Sequence, residues 1–272
     1  MLTCAITGSK GVLGSKLKKK IPLKFYEFHG NILNKKKVNQ WIQKKDFDIL
    51  IHLAALVPTN LVNKNYKKAY EVNVIGTNNL INSLIKKENK PKWLFFSSTS
   101  HVYKPLDKFK KISEKSKLDP ASKYGKTKIL AEKLILKKLK KYPIKVCIGR
   151  IFSFTDKKQK EPFVIPTIKK KLKNSKKKIV FKNINHFRDF LSTDDIISAI
   201  YILMKTSKFG IYNIGSGKKL DLRKIVKLFN KNNKDIVFRN TERPTYLISN
   251  NNKLLKTKWC PSKFKDNIKY FY

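Results

Sequence analysis

Short apolar runs alternate with longer, lysine-rich amphipathic segments through the first half of the chain. The apolar runs have the length and composition of buried strands, and they lie at 2–8, 23–30, 47–55, 92–98 and 144–152. Segments of helical period separate or follow them, at 12–20, 38–45, 66–87 and from 122 onward. This alternation predicts an α/β fold built on a doubly wound parallel sheet.

The regular alternation ends after Arg150. Beyond it the pattern predicts helices over 161–172 and 221–231, a strand running into a helix over 188–205, and a strand with a turn over 209–217. No repeat or flexible linker interrupts the chain. We therefore predict a main domain over 1–155, to which 186–214 returns, and a smaller C-terminal lobe formed by 156–185 and 215–272.

The charge is strongly positive, but its distribution argues against a nucleic-acid partner. The 272 residues carry a formal charge of +45, and 41% of them are hydrophobic, which is enough for a large buried core. Lysine is spread through every segment, and only five of the 63 basic residues are arginine. A nucleic-acid surface usually clusters its charge and uses arginine for bidentate contacts. The charge predicts instead that anionic ligands are steered to the protein, an effect that weakens as salt rises.

Neither a membrane segment nor a metal site is expected. The longest apolar run, at 49–57, is far shorter than the ~20 residues that span a bilayer, and the beginning of the chain lacks the pattern of a secretory signal. The three cysteines are scattered, and the four histidines lack the spacing of metal ligands. These features predict a cytoplasmic protein without disulfides or metal.

Three glycines at a spacing of three positions, Gly8, Gly11 and Gly14, join the first strand to the first helix. This arrangement allows a tight turn and lets the backbone approach a dinucleotide pyrophosphate at the helix N-terminus; the alternative is a turn that merely requires positive φ. The acidic residue that usually binds the ribose 2′-hydroxyl is missing, since Glu27 is the only acid near the end of the second strand. His29, or a lysine from 35–37, is the alternative group for a 2′-phosphate, so NAD and NADP both stay open.

Seven segments together carry a family resemblance. They are HLAA at 52–55, NVIGT at 73–77, FSSTSHVY at 96–103, YGKTK at 124–128, RDFLSTDD at 188–195, YNIGSG at 212–217, and RP at 243–244 with WCP at 259–261. In this order they resemble motifs of the extended short-chain dehydrogenase/reductases, the NAD-dependent nucleotide-sugar epimerase, dehydratase and reductase family. The resemblance covers essentially the whole chain. It implies a Rossmann-like fold, in which 1–155 binds the dinucleotide and the smaller lobe binds the substrate.

The resemblance implies that Thr99, Tyr124 and Lys128 are catalytic. Tyr124 and Lys128 lie one helical turn apart and therefore on one face. A neighbouring ammonium and a bound nicotinamide cation are expected to lower the phenol pKa, so that Tyr124 exchanges a proton with the substrate. Lys128 would also hold the cofactor ribose, and Thr99 would bind the reacting oxygen. The alternative is an ordinary surface pair in a lysine-rich chain.

Further contacts follow from the same resemblance. The implied cofactor-binding residues are Gly8, Gly11, Val12, Leu13, Gly14, Asn31, Ile32, Leu53, Ala54, Ala55, Asn73, Ser97, Tyr124, Lys128 and Ile151. The implied substrate-binding residues are Ser98, Thr99, Ser153, Arg188 and Arg243. The two arginines would bind the diphosphate of a sugar nucleotide, the alternative for Arg188 being an ion pair with Asp194 or Asp195. His52 and His101 are expected to serve in packing and hydrogen bonding.

Departures from the family pattern bear on the reaction. Sugar dehydratases of the family carry an Asp-Glu pair after the catalytic Thr, and this chain has Ser100 and His101 there, which disfavours 4,6-dehydration. The length and the missing acid of the second strand favour an NAD(P)-dependent reductase of a 4-keto-6-deoxy sugar nucleotide. The alternatives are a 4-epimerase that retains NAD and, in a different class, a non-catalytic dinucleotide-sensing or nucleic-acid-associated protein. Apolar residues on more than one face of 129–139 predict a homodimer formed through this helix.

Overall fold

The computed structural model describes residues 1–57, 59–173 and 177–262. The helices of these residues are α1 Val12–Lys20, α2 Lys35–Lys44, α3 Thr59–Lys64, α4 Tyr66–Tyr70, α5 Gly76–Lys86, α6 Lys123–Leu139, α7 Val164–Lys173, α8 Thr193–Lys205, α9 Leu222–Phe229 and α10 Asn252–Leu255. The strands are β1 Thr3–Thr7, β2 Lys24–Glu27, β3 Ile49–His52, β4 Trp93–Thr99, β5 Lys145–Ile151, β6 Ser153–Thr155, β7 Lys178–Lys182, β8 Phe187–Arg188, β9 Phe190–Ser192, β10 Gly210–Ile214, β11 Leu220–Asp221, β12 Asp235–Arg239 and β13 Tyr246–Leu247. A π-helical turn, Glu71–Ile75, joins α4 to α5, and a 3₁₀ turn, Ser100–Val102, follows β4.

The central sheet has six parallel strands in the order β10-β5-β4-β3-β1-β2. The predicted doubly wound parallel sheet is therefore confirmed. The chain leaves the sheet at the β2 edge and returns on the other side of β1 as β3. Loops that leave the carboxyl ends of β1 and β3 consequently diverge, and such a switch point is where open α/β sheets bind ligands.

Both faces of the sheet are covered, which is why its strands read as nearly continuous apolar runs. On one face, α1 and α8 pack through residues such as Leu17, Ile196 and Ile200. On the other face, α2, α5 and α6 pack through residues such as Ile42, Leu80 and Ile135. No helix of the described residues is long and apolar enough to cross a membrane.

The later elements divide between the sheet and a second core. β10 extends the central sheet and α8 packs on it, whereas α7, α9, β7 and β12 bury their own apolar cluster, which includes Ile168, Phe181 and Ile225. This arrangement is consistent with the predicted return of 186–214 to the main domain, and the division into two domains stays a prediction. Residues 174–176 and 263–272 of the predicted lobe lie outside the described residues.

Candidate active site

A cleft of about 1290 Å³ lies at the carboxyl ends of the central strands. The glycine turn after β1 and the loop after β3 form one end of it. The ends of β4 and β5 and one face of α6 form its floor, and residues such as Phe163, Arg188 and Leu222 from later in the chain line the rest. Groups that are far apart in the sequence therefore face one enclosed volume.

The glycine turn has the shape of a cradle that side chains would fill. Gly8 has φ +73°, and a Cβ on it would lie 2.7 Å from the backbone nitrogen of Ala54. A Cβ on Gly14 would lie 2.7 Å from Cα of Ser9. α1 begins after Gly11, and no described side chain caps it, so the amides of its first turn are left for a ligand or solvent. These features fit the diphosphate of a dinucleotide.

Behind the cradle, His52 ties three segments together. Its Nδ1 lies 2.6 Å from Oγ1 of Thr7, and its Nε2 lies 2.9 Å from Oγ1 of Thr77. Burial, together with the nearby Lys128 ammonium, lowers the pKa of His52 to about 3 and keeps the ring neutral. His52 therefore has the hydrogen-bonding role expected from the sequence.

Thr99, Tyr124 and Lys128 meet in the cleft. The side chains of Tyr124 and Thr99 lie close together in the cleft, near enough for Thr99 to act on the phenol pKa. Lys128 lies one turn along α6 and is only 2% exposed, with its ammonium 4.1 Å from the centre of the Phe96 ring. The local sequence begins the helix at this point, because the Ser122 side chain accepts a hydrogen bond from the Gly125 amide at 3.1 Å.

The protonation states differ from the sequence-based expectation. Burial raises the pKa of Tyr124 above its ordinary value, and the neighbouring Thr99 side chain offsets only part of this effect. Burial also lowers the pKa of Lys128 to about 7, with Glu132 opposing the change. The expected lowering of the phenol pKa by its neighbour is absent because both groups lose hydration together. Tyr124 is therefore a neutral phenol in this structure.

Most of the predicted site residues line this cleft. They are Gly8, Gly11, Val12, Leu13, Gly14, Asn31, Ile32, Leu53, Ala54, Ala55, Ser97, Ser98, Thr99, Tyr124, Lys128, Ile151, Ser153 and Arg188. Asn73 does not line it: its amide accepts a hydrogen bond from the Leu56 nitrogen at 2.7 Å and donates to Oγ1 of Thr127 at 3.0 Å. It thus supports the loop after β3 from behind. Arg243 is exposed and lies outside the cleft.

Arg188 enters the cleft without the ion pair considered as the alternative. Its guanidinium donates to the carbonyl oxygen of Thr245 at 2.9 Å, and burial lowers its pKa to about 10, so it remains charged. Asp194 pairs with Lys20 at 2.7 Å, and Asp195 closes a capping box at the start of α8. Arg188 is therefore a cation presented to whatever occupies the cleft.

Some lining residues had a different role, or none, in the sequence analysis: His101 was expected in packing and hydrogen bonding, His29 was an alternative group for a 2′-phosphate, and Lys10 was not named. His101 is exposed in the cleft beside Tyr124, with the ring centres 5.9 Å apart and nearly perpendicular, and the surrounding protein and Arg188 lower its pKa. Lys10 and His29 lie at the cradle end. No Asp or Glu of the described ranges lines the cleft, so its charged lining residues, Lys10, Lys128 and Arg188, are all basic. The spacing of these residues carries no recognisable pattern, so only the fold could bring them together.

The fold and the site define an extended short-chain dehydrogenase/reductase of the NAD-dependent epimerase/dehydratase type. A family model described as GDP-mannose 4,6 dehydratase matches residues 6–265, and the chain belongs to this family. Its curated relatives are nucleotide-sugar dehydratases, epimerases and reductases.

Two relatives and one solved structure illustrate the similarity. A dTDP-D-glucose 4,6-dehydratase of Dictyostelium discoideum is 32% identical over 209 residues, which cover 73% of this chain and 47% of that protein. A GDP-6-deoxy-D-mannose reductase of Pseudomonas aeruginosa is 26% identical over 187 residues, covering 66% of this chain and 62% of the relative. The matched part therefore spans about half to two thirds of these relatives. The structure of RMD from Pseudomonas aeruginosa complexed with NADPH has the same fold, with TM-score 0.88, 21% identity and coverage of 100% of this chain and 97% of that one.

Proposed function

We propose that the chain is an NAD(P)-dependent nucleotide-sugar oxidoreductase that reduces the ketone of a 4-keto-6-deoxy sugar nucleotide. The observation that supports this most directly is the common cleft, in which the neighbouring Thr99 and Tyr124 and the buried Lys128 face the same space as the glycine cradle. A surface pair of phenol and ammonium would have no reason to be buried beside such a cradle.

NAD or NADP is the proposed cofactor. The turn containing Gly8, Gly11 and Gly14 would hold its diphosphate, and Lys128 its nicotinamide ribose. The bound cofactor supplies the hydride of the reduction. Glu27 does not line the cleft and pairs with Lys18 at 2.6 Å, so it is not placed to bind a ribose 2′-hydroxyl.

The side chains of the site supply the proton. Tyr124, which burial keeps neutral, donates its phenolic proton to the carbonyl oxygen as the ketone becomes an alcohol. The Thr99 hydroxyl hydrogen-bonds the same oxygen. The positive charge of Lys128 then stabilises the phenolate that the proton transfer leaves. A raised phenol pKa therefore suits the reducing direction, in which the tyrosine acts first as an acid.

The substrate would lie between the catalytic residues and the C-terminal lobe. Ser98, Ser153 and Arg188 line this part of the cleft, and Arg188 offers charge-assisted hydrogen bonds to a diphosphate. The contact predicted for Arg243 stays a prediction, because the residue lies outside the described cleft. The positive lining suits an anionic sugar nucleotide.

A 4-epimerase is the second candidate, because the same acid–base group can serve a hydride that is removed and then returned. A 4,6-dehydratase fits less well. Ser100 and His101 stand where such enzymes carry their acid and base, and the described cleft lining contains no carboxylate.

The test compares the parent protein with Tyr124→Phe on a panel of 4-keto-6-deoxy sugar nucleotides, with NADH and with NADPH. Turnover is expected to fall by a factor on the order of 10² or more, while cofactor binding, followed by fluorescence, persists. Lys126→Ala, which alters an exposed position of the same helix, is the matched control. Unchanged turnover in Tyr124→Phe would reject the assignment. Tightly bound NAD, with no demand for added cofactor, would select the epimerase.

A further inference from the structure

Glu132 is a buried carboxylate that the proposed reaction does not use. It lies one helical turn beyond Lys128 on α6, is 2% exposed, and does not line the cleft. Its Oε1 accepts a short hydrogen bond from the Ser98 hydroxyl, and its Oε2 accepts one from Nη2 of Arg150 at 2.7 Å. A carboxylate is this deeply buried only when charged and polar partners compensate for its lost hydration.

These partners join the catalytic helix to the two strands beneath it. Ser98 and Arg150 are directly paired across β4 and β5. Ser98 immediately precedes Thr99, so the Glu132 carboxylate connects the strand that carries Thr99 to the helix that carries Tyr124. The distance between the Thr99 and Tyr124 hydroxyls therefore depends on this three-residue link.

Arg150 is itself held in place from the opposite side. Its Nη1 donates to the Tyr103 hydroxyl at 2.8 Å and to the carbonyl oxygen of Glu114 at 3.2 Å. The Tyr103 hydroxyl in turn donates to Oδ1 of Asn213 at 2.9 Å. Because the guanidinium is bound on both sides, it forms a rigid base for the Glu132 carboxylate.

Glu132 also sets the charge around Lys128. His52 from β3 faces Lys128 and is neutral, and Tyr124 on the same helix is neutral as well. Glu132 is the negative group whose field raises the pKa of Lys128 against the effect of burial, and it also neutralises Arg150. Without its charge, Lys128 would share a buried region with an uncompensated guanidinium.

We propose that Glu132 is a positioning residue, which holds the Tyr124–Lys128 face of α6 in place over Thr99 and keeps a balancing negative charge beside Lys128. This inference rests on the proposed function. It adds a residue outside the cleft whose charge, as well as its packing, is required for the reaction.

The experiment compares Glu132→Gln with Tyr103→Phe, a control that also removes a buried hydrogen bond of Arg150. Turnover and the dissociation constant of the reduced cofactor are measured from pH 5.5 to 9, together with the melting temperature. Lys128 must be protonated to hold the cofactor and to stabilise the phenolate. Turnover therefore falls, and the dissociation constant of the cofactor rises, as the pH increases through the pKa of Lys128. Glu132→Gln is expected to lower turnover about tenfold or more and to move this alkaline limit down by about one pH unit. Tyr103→Phe is expected to lower the melting temperature and leave the limit in place.

The proposal is overturned if Glu132→Gln lowers the melting temperature as Tyr103→Phe does and leaves the alkaline limit where it was. If Glu132→Gln does not fold, Glu132→Asp decides. This variant retains the negative charge on a side chain that is one methylene shorter. Reduced turnover with an unchanged alkaline limit supports the proposal, and turnover equal to that of the parent refutes it. Failure of the proposed function is recognised separately, by a Tyr124→Phe variant that turns over normally.

Discussion

Gly125 lies between Tyr124 and Lys128, the proposed catalytic residues, and the space around it leaves no room for a side chain. A Cβ at this position would lie 2.8 Å from the carbonyl carbon of His101, 2.9 Å from Cβ of Pro120, and closer still to the His101 oxygen. Two of these are backbone atoms, which no change of rotamer can move. In Gly125→Ala, α6 or the 3₁₀ turn after Thr99 must therefore retreat by roughly 1 Å, a misplacement that can reduce turnover on the order of 10²-fold.

The variant is assayed for turnover, for binding of the reduced cofactor and for thermal unfolding. Overpacking of this kind costs about 1–3 kcal/mol of folding free energy, so the melting temperature should fall while the protein remains folded. Turnover should fall much further than cofactor affinity, because the cradle lies at the other end of the cleft. Lys126→Ala, on the exposed side of the same turn, should behave as the parent. Parental turnover in Gly125→Ala would show that the close approach of α6 to His101 does not set the catalytic geometry.

Four further predictions follow from the same coordinates. Gly8→Ala forces a Cβ into a positive-φ turn and should weaken cofactor binding about tenfold or more, as measured by fluorescence titration. Arg188→Met should raise KM for the sugar nucleotide about 10- to 100-fold, the loss expected for a charge-assisted hydrogen bond, with cofactor affinity retained. Lys128 has a lowered pKa, so the parent gains stability as pH rises above about 7. Lys128→Met should therefore exceed the parent in melting temperature most clearly below pH 7, and a constant difference up to pH 10 would contradict this. Leu130 and Leu136 are both 40% exposed on α6, and their joint replacement by Glu should convert the predicted homodimer into a monomer by light scattering, whereas a monomeric parent would refute the dimer.

Element positions were predictable where the periodicity was strong. The first helix was expected at 12–20 and is Val12–Lys20, because Gly11 and the apolar face leave little freedom. The second helix begins three residues earlier than expected, at Lys35, since the Asn34 side chain accepts a hydrogen bond from the Lys37 amide. Because Lys35–Lys37 are all polar, the apolar pattern of this helix starts only at Val38, and the cap was not recognised from the sequence. The long helix expected over 66–87 contains the π-helical turn Glu71–Ile75, for which the sequence carries no marker.

The candidate site was predictable to the extent that its residues belong to motifs. The glycine spacing and the helical spacing of Tyr124 and Lys128 are local properties, and the family resemblance added Thr99. Asn73 was expected at the cofactor, and the structure places it behind the loop after β3, because the direction of a side chain within a π-helical turn cannot be read from spacing. Glu132 was recognised only as part of an amphipathic helix.

The amino-acid sequence by itself determined the alternation of strands and helices in the first half of the chain, the glycine turn and the shared face of Tyr124 and Lys128. These depend on interactions between residues a few positions apart, which periodicity and backbone freedom describe. Strands of the later half, such as Lys178–Lys182 and Asp235–Arg239, were not predicted. Only the tertiary structure decided the charge states of the site and the link from Glu132 to Ser98 and Arg150. Those properties arise when strands and a helix from distant parts of the chain remove the same groups from water, and desolvation is set by the whole fold rather than by neighbours in the sequence.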